Sequence, residues 1–442
     1  MMADGHRRSR PFRRIDARIL TVLFLAYLFD VLDRTNIGMA SLTMTHDLGM
    51  SAQGYGIAIA AFFLGYILFE IPSALYLARV GARDTLLRIM LLWGLTCVAT
   101  AFVPDARFFY PCRFLLGAFQ AGFVPACICY IALWYPPDRL PGALAIQQAA
   151  GPIAGIVGAP LSGLIMDRLD RVAGLAGWRW MLLLEALPVL LLAYGVLRLC
   201  PTSPATAAWL TPDERALPAN PAPAAITASP RLRDLMRDSR LQGFAVSYFC
   251  LICGIYTLAF WAPKLLAATG LSTQQVGLCA AVPGLAAICG SLAWARYTER
   301  RPAGQGWHVA VPAALGAALL GACGAEAPRL PWLLTLLALS SAALYAAYIV
   351  FWGAMTRALT EHARPVGSAY VTMFGLMGGL VSPLLVGHFL HATGSHAVGF
   401  SLVGTIGLLG AMGLAAFFPR TGFVIRSTAK PIGCEEETII RF

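Results

Sequence analysis

Charge is the scarcest property of this 442-residue chain: 12% of its residues are Asp, Glu, Lys or Arg, 58% are hydrophobic, and the mean hydropathy is +0.69. A soluble domain of this length could not offer water so little polar surface, which excludes that class. The sequence also lacks a His-rich metal set, a nucleophile beside a base and a phosphate-binding loop, so neither an enzyme nor a bound cofactor is expected. Tails of roughly twenty residues and the one long polar stretch are too small for a signalling domain, which disfavours a nutrient receptor that binds without transporting. No cleavable signal is apparent, because the first apolar run is too long and has no small-residue cleavage site. Of the eleven cysteines, Cys127, Cys129, Cys250 and Cys253 lie in apolar runs without His or carboxylate clusters and read as small buried hydrophobes.

What is abundant is apolar runs long enough to cross a hydrocarbon core as helices. Twelve occur, at 19–40, 54–77, 86–103, 108–133, 143–166, 178–200, 241–263, 274–296, 307–324, 331–355, 366–390 and 397–418. They predict an all-α membrane protein with twelve transmembrane helices in two six-helix bundles. With the N-terminus inside, the outer side holds only Arg107, Arg168, Arg171, Arg179, Lys264 and Arg329, so roughly four-fifths of the cations outside the core are cytoplasmic. Both termini are then cytoplasmic, and the net charge of +11 reflects topology, with no nucleic-acid partner implied. The predicted division is a basic tail 1–17, a bundle 18–200, a cytoplasmic linker 201–240, a bundle 241–419 and a tail 420–442. Within the linker, Trp209 to Arg215 reads as a short surface helix capped by Thr211. The loops Ala78-Arg79-Val80-Gly81-Ala82-Arg83 and Ala295-Arg296-Tyr297-Thr298-Glu299-Arg300-Arg301 occupy corresponding positions and suggest an internal repeat.

Several stretches, in order, resemble the anion:cation symporter branch of the major facilitator superfamily. They are LDRTNIG in span one, GYILFEIPSALYLARVGAR through span two, RFLLGAFQAGFVPA in span four, GWRWMLLLEALP in span six and WLTPDER in the linker. FWAPKLL, WHVAVPA, FWGAMTRAL and LHATGS agree in the second half, and the resemblance runs from about Arg18 to Pro419. It implies alternating access and import of a small organic anion such as tartrate, an aldarate, an aldonate, phthalate or hydroxyphenylacetate. Protons or another cation would drive it, and the protein would be a monomer in the cell inner membrane. A uniporter, exchanger or exporter is the alternative within transport.

Charges inside the spans select the candidate site, since an ionisable group at membrane depth costs several kcal/mol and marks a substrate or ion pathway by default. At 1.5 Å rise per residue, Asp30 falls near mid-membrane, Arg34 about 6 Å further out, and Arg113 about 8 Å below the outer surface, so the two arginines share a layer. If spans one and four line the cavity, as the resemblance implies, one carboxylate would meet both guanidinium groups, whose planar forks suit it. The alternative is that Arg34 and Arg113 only pair with Asp33 and Glu185. Gln120 departs from the family, many of whose members carry there a glutamate that takes part in proton coupling; Asp30 with Asp33 is the expected proton-sensitive pair, and an Asp30–Arg34 ion pair at i, i+4 is the competing reading. Ala78 also departs, an acid being usual before the basic loop, whose residues Arg79, Gly81 and Arg83, with Glu299 and Arg300 in the second half, are gating candidates. Glu70 is expected to satisfy a neighbouring backbone or basic group, and Lys264 to snorkel at a span end. The spans of the second half are almost free of charge, leaving hydrogen bonding and shape. Tyr66, Gln147, Gln148, Trp261, Tyr348, Phe351, Trp352 and Thr372 are candidate binding residues. Thr372 and Leu376 stand where members of the family often carry asparagines, which favours an aromatic or short aliphatic carboxylate over a polyhydroxylated one.

Overall fold

The computed structural model describes residues 12–215, 238–301, 305–324, 329–359 and 364–417. Most of the tails and most of the linker therefore lie outside the described residues. Those described form helices and their connections, with no strand among them. The first apolar run is a π-turn, Asp16–Leu20, followed by α1 (Thr21–Thr35) and α2 (Ile37–Asp47). Between α1 and α2, Asn36 keeps right-handed helical angles of φ −60° and ψ −25°, so the axis continues across the break.

After it come eleven helical stretches long and apolar enough to cross a membrane. They comprise α3 (Ala52–Val80), α4 (Ala82–Ala101), α5 and α6 (Ala106–Gln120 and Phe123–Trp134, one stretch), α7 and α8 (Leu140–Gln148 and Ala150–Arg168, one stretch) and α9 (Gly177–Leu199). In the second half they are α10 (Ser239–Ala267), α11 (Thr273–Glu299), α12 (Gln305–Cys323), α13 (Leu330–Ala358), α14 (Arg364–Thr393) and α15 (His396–Phe417). The chain is thus a multi-pass membrane protein. The first run falls outside that count because its helix is interrupted and carries Asp30, Asp33 and Arg34.

Helix ends follow the local sequence. The Ser51 hydroxyl accepts from the Gly54 N–H at 3.1 Å to start α3, and Ser272 and Gln275 cap α11 reciprocally. Gly81, at φ +88°, ends α3. The break between α5 and α6 is made at Gly122, whose φ of +81° is open to glycine at little cost. The Gly122 N–H is taken up by Glu70 Oε2 at 3.1 Å, the backbone-satisfying role expected of Glu70. Thr211 and Glu214 form the expected reciprocal cap of the short helix Pro212–Arg215, and Trp209 beside it stacks on Trp134 at 5.7 Å.

Contacts between the two halves gather towards one end of the helices, the end bearing the 48–51 loop. A Cβ on Gly56 of α3 would sit 2.5 Å from the Pro383 carbonyl oxygen of α14, and one on Gly38 of α2 would sit 2.9 Å from that of Ala259 of α10. Gly277 of α11 approaches Ala159 of α8 equally closely. Three helix pairs thus cross at small residues, as close packing in a membrane requires. Tyr55 adds a hydrogen bond to the Phe260 carbonyl at 2.8 Å and an edge contact with Trp261 at 5.1 Å. At the opposite end, no hydrogen bond or ion pair joins the halves among the described residues. One end is sealed.

Candidate functional site

The buried charges of the first half sit where α1, α3, α4, α5 and α9 meet. Gly65 and Gly117 bring α3 and α5 together: a Cβ at Gly117 would fall 1.9 Å from the Phe62 carbonyl oxygen, and one at Gly65 2.1 Å from that of Phe114. That approach lays the Phe62 ring between two cations, with the Arg113 guanidinium carbon 5.0 Å and that of Arg34 5.9 Å from its centre. Arg34 also lies 5.3 Å over Tyr66. Both arginines thus contact the face of one aromatic ring.

Of the pairings weighed from the sequence, the one within α1 is present and those with Asp33 and Glu185 are not seen among the described residues. Arg34 pairs with Asp30 at 3.0 Å, the i, i+4 geometry of a single helix, and not with Asp33. Asp33 is turned to α4 and α5 and accepts three hydrogen bonds: Trp93 Nε1 at 2.7 Å, Gln120 Nε2 at 3.1 Å and Cys97 Sγ at 3.2 Å. Glu185 accepts from Asn36 Nδ2 and from the Ser162 hydroxyl, the latter at 3.3 Å. Neither arginine therefore bonds to Asp33 or Glu185 among the described residues.

Arg113 is 3% exposed, and its Nε and Nη2 have no hydrogen-bond partner among the described residues. It lines a small cavity with Asn36, Cys97, Thr100 and Leu182, a space on the scale of a single water molecule. A guanidinium withdrawn from water with open donors is an expensive arrangement, and an anion is the group that relieves it.

The other predicted binding residues divide by place. Tyr348 and Trp352 join Tyr248 and Phe351 in a ring cluster of the second half, with Tyr248 5.1 Å from Phe351, 5.2 Å from Trp352 and 6.1 Å from Tyr348. Phe63 reaches across from α3 to Tyr256 at 4.7 Å. Gln147 is fully buried with both ends of its amide unpartnered among the described residues, whereas Gln148 and Thr372 are exposed. Trp261 belongs to the seal, packed on Tyr55. Lys264 lies 4.3 Å over the Tyr55 ring and 5.6 Å from that of Trp261, a cation–π position in the seal where snorkelling was expected.

Among the gating candidates, Arg83 donates to the carbonyls of Cys200 at 2.6 Å and Leu197 at 2.8 Å, fastening its loop to the end of α9. Arg79, Glu299 and Arg300 are exposed.

Trp93, Cys97, Asn36, Ser162 and Phe62 were not singled out from the sequence. Three of them had a signal: Trp93 and Cys97 stand four residues apart on one face of α4, and Asn36 follows Asp33 by three.

Comparison with known proteins follows the same lines. The family model for the Major Facilitator Superfamily matches residues 23–323 and 244–430. A protein of Agrobacterium vitis named "Putative tartrate transporter" is 38% identical over 413 residues, 91% of this chain and 90% of its own. "Putative metabolite transport protein NicT" of Pseudomonas putida is 36% identical over 402 residues, 89% and 91% of the two chains. Among solved structures, a D-xylose-proton symporter superposes with a TM-score of 0.73 at 20% identity, covering 91% of this chain and 98% of that one. A bacterial homologue of the lysosomal transporter Spinster, inward-facing and occupied, gives 0.74 at 17%, covering 91% and 95%. At such identities these two speak for the fold alone.

Proposed function

From a chain that belongs to the major facilitator superfamily, and whose relatives are transporters and not enzymes, we propose a carrier that imports a small carboxylate together with protons by alternating access. The observation that carries this is Arg113, a buried cation with two open donors, facing Arg34 across one aromatic ring. A carboxylate reaching the guanidinium groups around the Phe62 ring gains charge-assisted, bidentate hydrogen bonds that neither now makes with Asp33 or Glu185. Arg34 contributes at the cost of loosening its bond to Asp30, which ties anion arrival to the state of that acid. Tyr66, Gln147, Gln148, Tyr348, Trp352 and Thr372 complete the binding surface, and Trp261 closes it at the seal. Phe62, Tyr66 and the Tyr248 cluster favour a flat or short acid, while the tartrate named for a relative keeps hydroxylated dicarboxylates within the class.

The interrupted first run is read as a twelfth span, giving two six-helix bundles, 18–200 and 241–419, joined by the linker 201–240. Cytoplasmic tails 1–17 and 420–442 follow from the arginine bias, which makes the sealed end external and the described state inward-open. The bundles then rock about the glycine crossings of the seal, with Arg79, Gly81, Arg83, Glu299 and Arg300 meeting when the cytoplasmic side closes. The protein works as a monomer in the cell inner membrane, needs no cofactor, and has protons or another cation, an anion and lipid as its partners.

Vesicles carrying the protein, offered labelled tartrate, galactonate, phthalate and 4-hydroxyphenylacetate with and without an imposed pH gradient, test this directly. At least one acid should accumulate against its gradient, and Arg113→Gln should lower its uptake by about 30-fold or more, as expected for loss of one partner of a buried charge pair. Equal uptake by the variant would remove Arg113 from the binding site.

A further inference from the structure

Asp30, Asp33 and Glu185 are buried in the first half against buried Arg113 and half-buried Arg34, with the half-buried Glu70 set apart on the Gly122 N–H. Fully ionised, this set holds one unbalanced negative charge away from water, a costly condition that binding one proton removes. The hydrogen bonds say which acid can take it. Asp30 is held by the Arg34 guanidinium at 3.0 Å. Asp33 accepts from Trp93 and Gln120 at Oδ2 and from Cys97 at Oδ1; the Gln120 amide and the Cys97 thiol can turn, but the Trp93 indole N–H only donates and holds Asp33 as an acceptor.

Glu185 is different, because both of its partners are reversible. Asn36 presents its amide nitrogen to Glu185 Oε2, and its other end, Oδ1, is buried without a partner among the described residues. Turning that amide end for end offers an acceptor to a protonated Glu185, and the Ser162 hydroxyl 3.3 Å away accepts or donates by rotation. The titratable groups around Glu185 are Asp33 on α1 and Cys97 on α4, both of which also face Arg113 on α5, while α8 contributes the neutral Ser162.

We propose that Glu185, shared with Asn36, carries the exchangeable proton; this rests on reading the chain as a proton-coupled carboxylate carrier. With the proton on Glu185, the buried charge set that includes Arg113 carries one fewer negative charge, and a substrate carboxylate is received at Arg113. When the proton leaves to water, the restored charge at Glu185 repels that carboxylate. Coupling of this kind is reciprocal, so each ligand tightens the other. Gln120, which cannot titrate, need then play no part in carrying the proton.

Infrared spectra of the protein in lipid nanodiscs, recorded across a pH titration, read the proton without needing a substrate. The carboxylic C=O band that vanishes on raising pH should be missing in Glu185→Gln and retained in Asp33→Asn; the reverse pattern overturns the assignment. Glu185→Gln keeps the size and polarity that Asn36 and Ser162 require, so the fold should persist. In proteoliposomes, wild-type affinity for labelled tartrate should weaken by up to about tenfold per pH unit above the midpoint of that band. Glu185→Gln should show a flat profile, exchange labelled for unlabelled tartrate, and gain nothing from an acid exterior. A gradient response equal to wild type overturns the inference and leaves the carrier reading standing. A Glu185 band in a wild-type protein that moves no carboxylate overturns the carrier reading and leaves the proton site standing.

Discussion

The two halves bury different chemistry. Inside the first, Asp30, Asp33, Arg113 and Glu185 are withdrawn from water; inside the second, the described residues bury Tyr248, Phe260, Trp261 and Phe351 and no carboxylate or guanidinium. Charges need partners in fixed directions, which is why Asp33 is held by α4 and α5 at once, 60 to 87 residues along the chain. Aromatic faces need only area and a tolerable angle, and the contacts around Tyr248 range from 21° to 75° between ring planes. On the proposed function, charge recognition and proton balance belong to the first half and shape to the second. The difference also places the demand for precision on one bundle, leaving the other freer to adapt.

The comparison breaks most completely where the halves touch. Gly56→Val would drive a side chain into the Pro383 backbone and hold the seal apart. Uptake should fall to near background, while cysteine-labelling of the 48–51 end should rise; normal uptake would mean that the seal moves without that crossing. Next in size is Asp33→Asn, which removes the anionic acceptor of three buried donors and should cost about 2 kcal/mol of stability in thermal unfolding. Trp93→Phe should cost about 1–2 kcal/mol by the same measurement, because one donor leaves and the smaller ring underfills a fully buried site. Smallest are Tyr348→Phe and Trp352→Leu, which should alter the preference between phthalate and tartrate by a few-fold, about 1 kcal/mol or less, in competition assays. A change in pH dependence from either would place proton chemistry in the second half and erase the contrast.

The residues show why some of this was legible in the sequence and some was not. Apolar run lengths marked the spans, and the 3.6-residue helical period made an Asp30–Arg34 pair foreseeable. The capping of Thr211 and the backbone role of Glu70 follow from local chemistry. Asp33's partners did not, since pairing between spans leaves no periodic trace when every neighbour is apolar. Gly65 and Gly117 look like any other small residues until their contact with opposing carbonyls is seen, and it is that contact which sets Phe62 between the arginines. Lys264 was misjudged for the same reason: its place over Tyr55 depends on how α10 meets α3.

The central claim is that Arg113 receives the substrate carboxylate. Its most direct test is the shift in unfolding temperature that each acid of the panel produces on purified protein in nanodiscs, wild type against Arg113→Gln. A transported acid should stabilise wild type in a concentration-dependent way and leave the variant unshifted. Equal stabilisation of both proteins by that acid would contradict the claim.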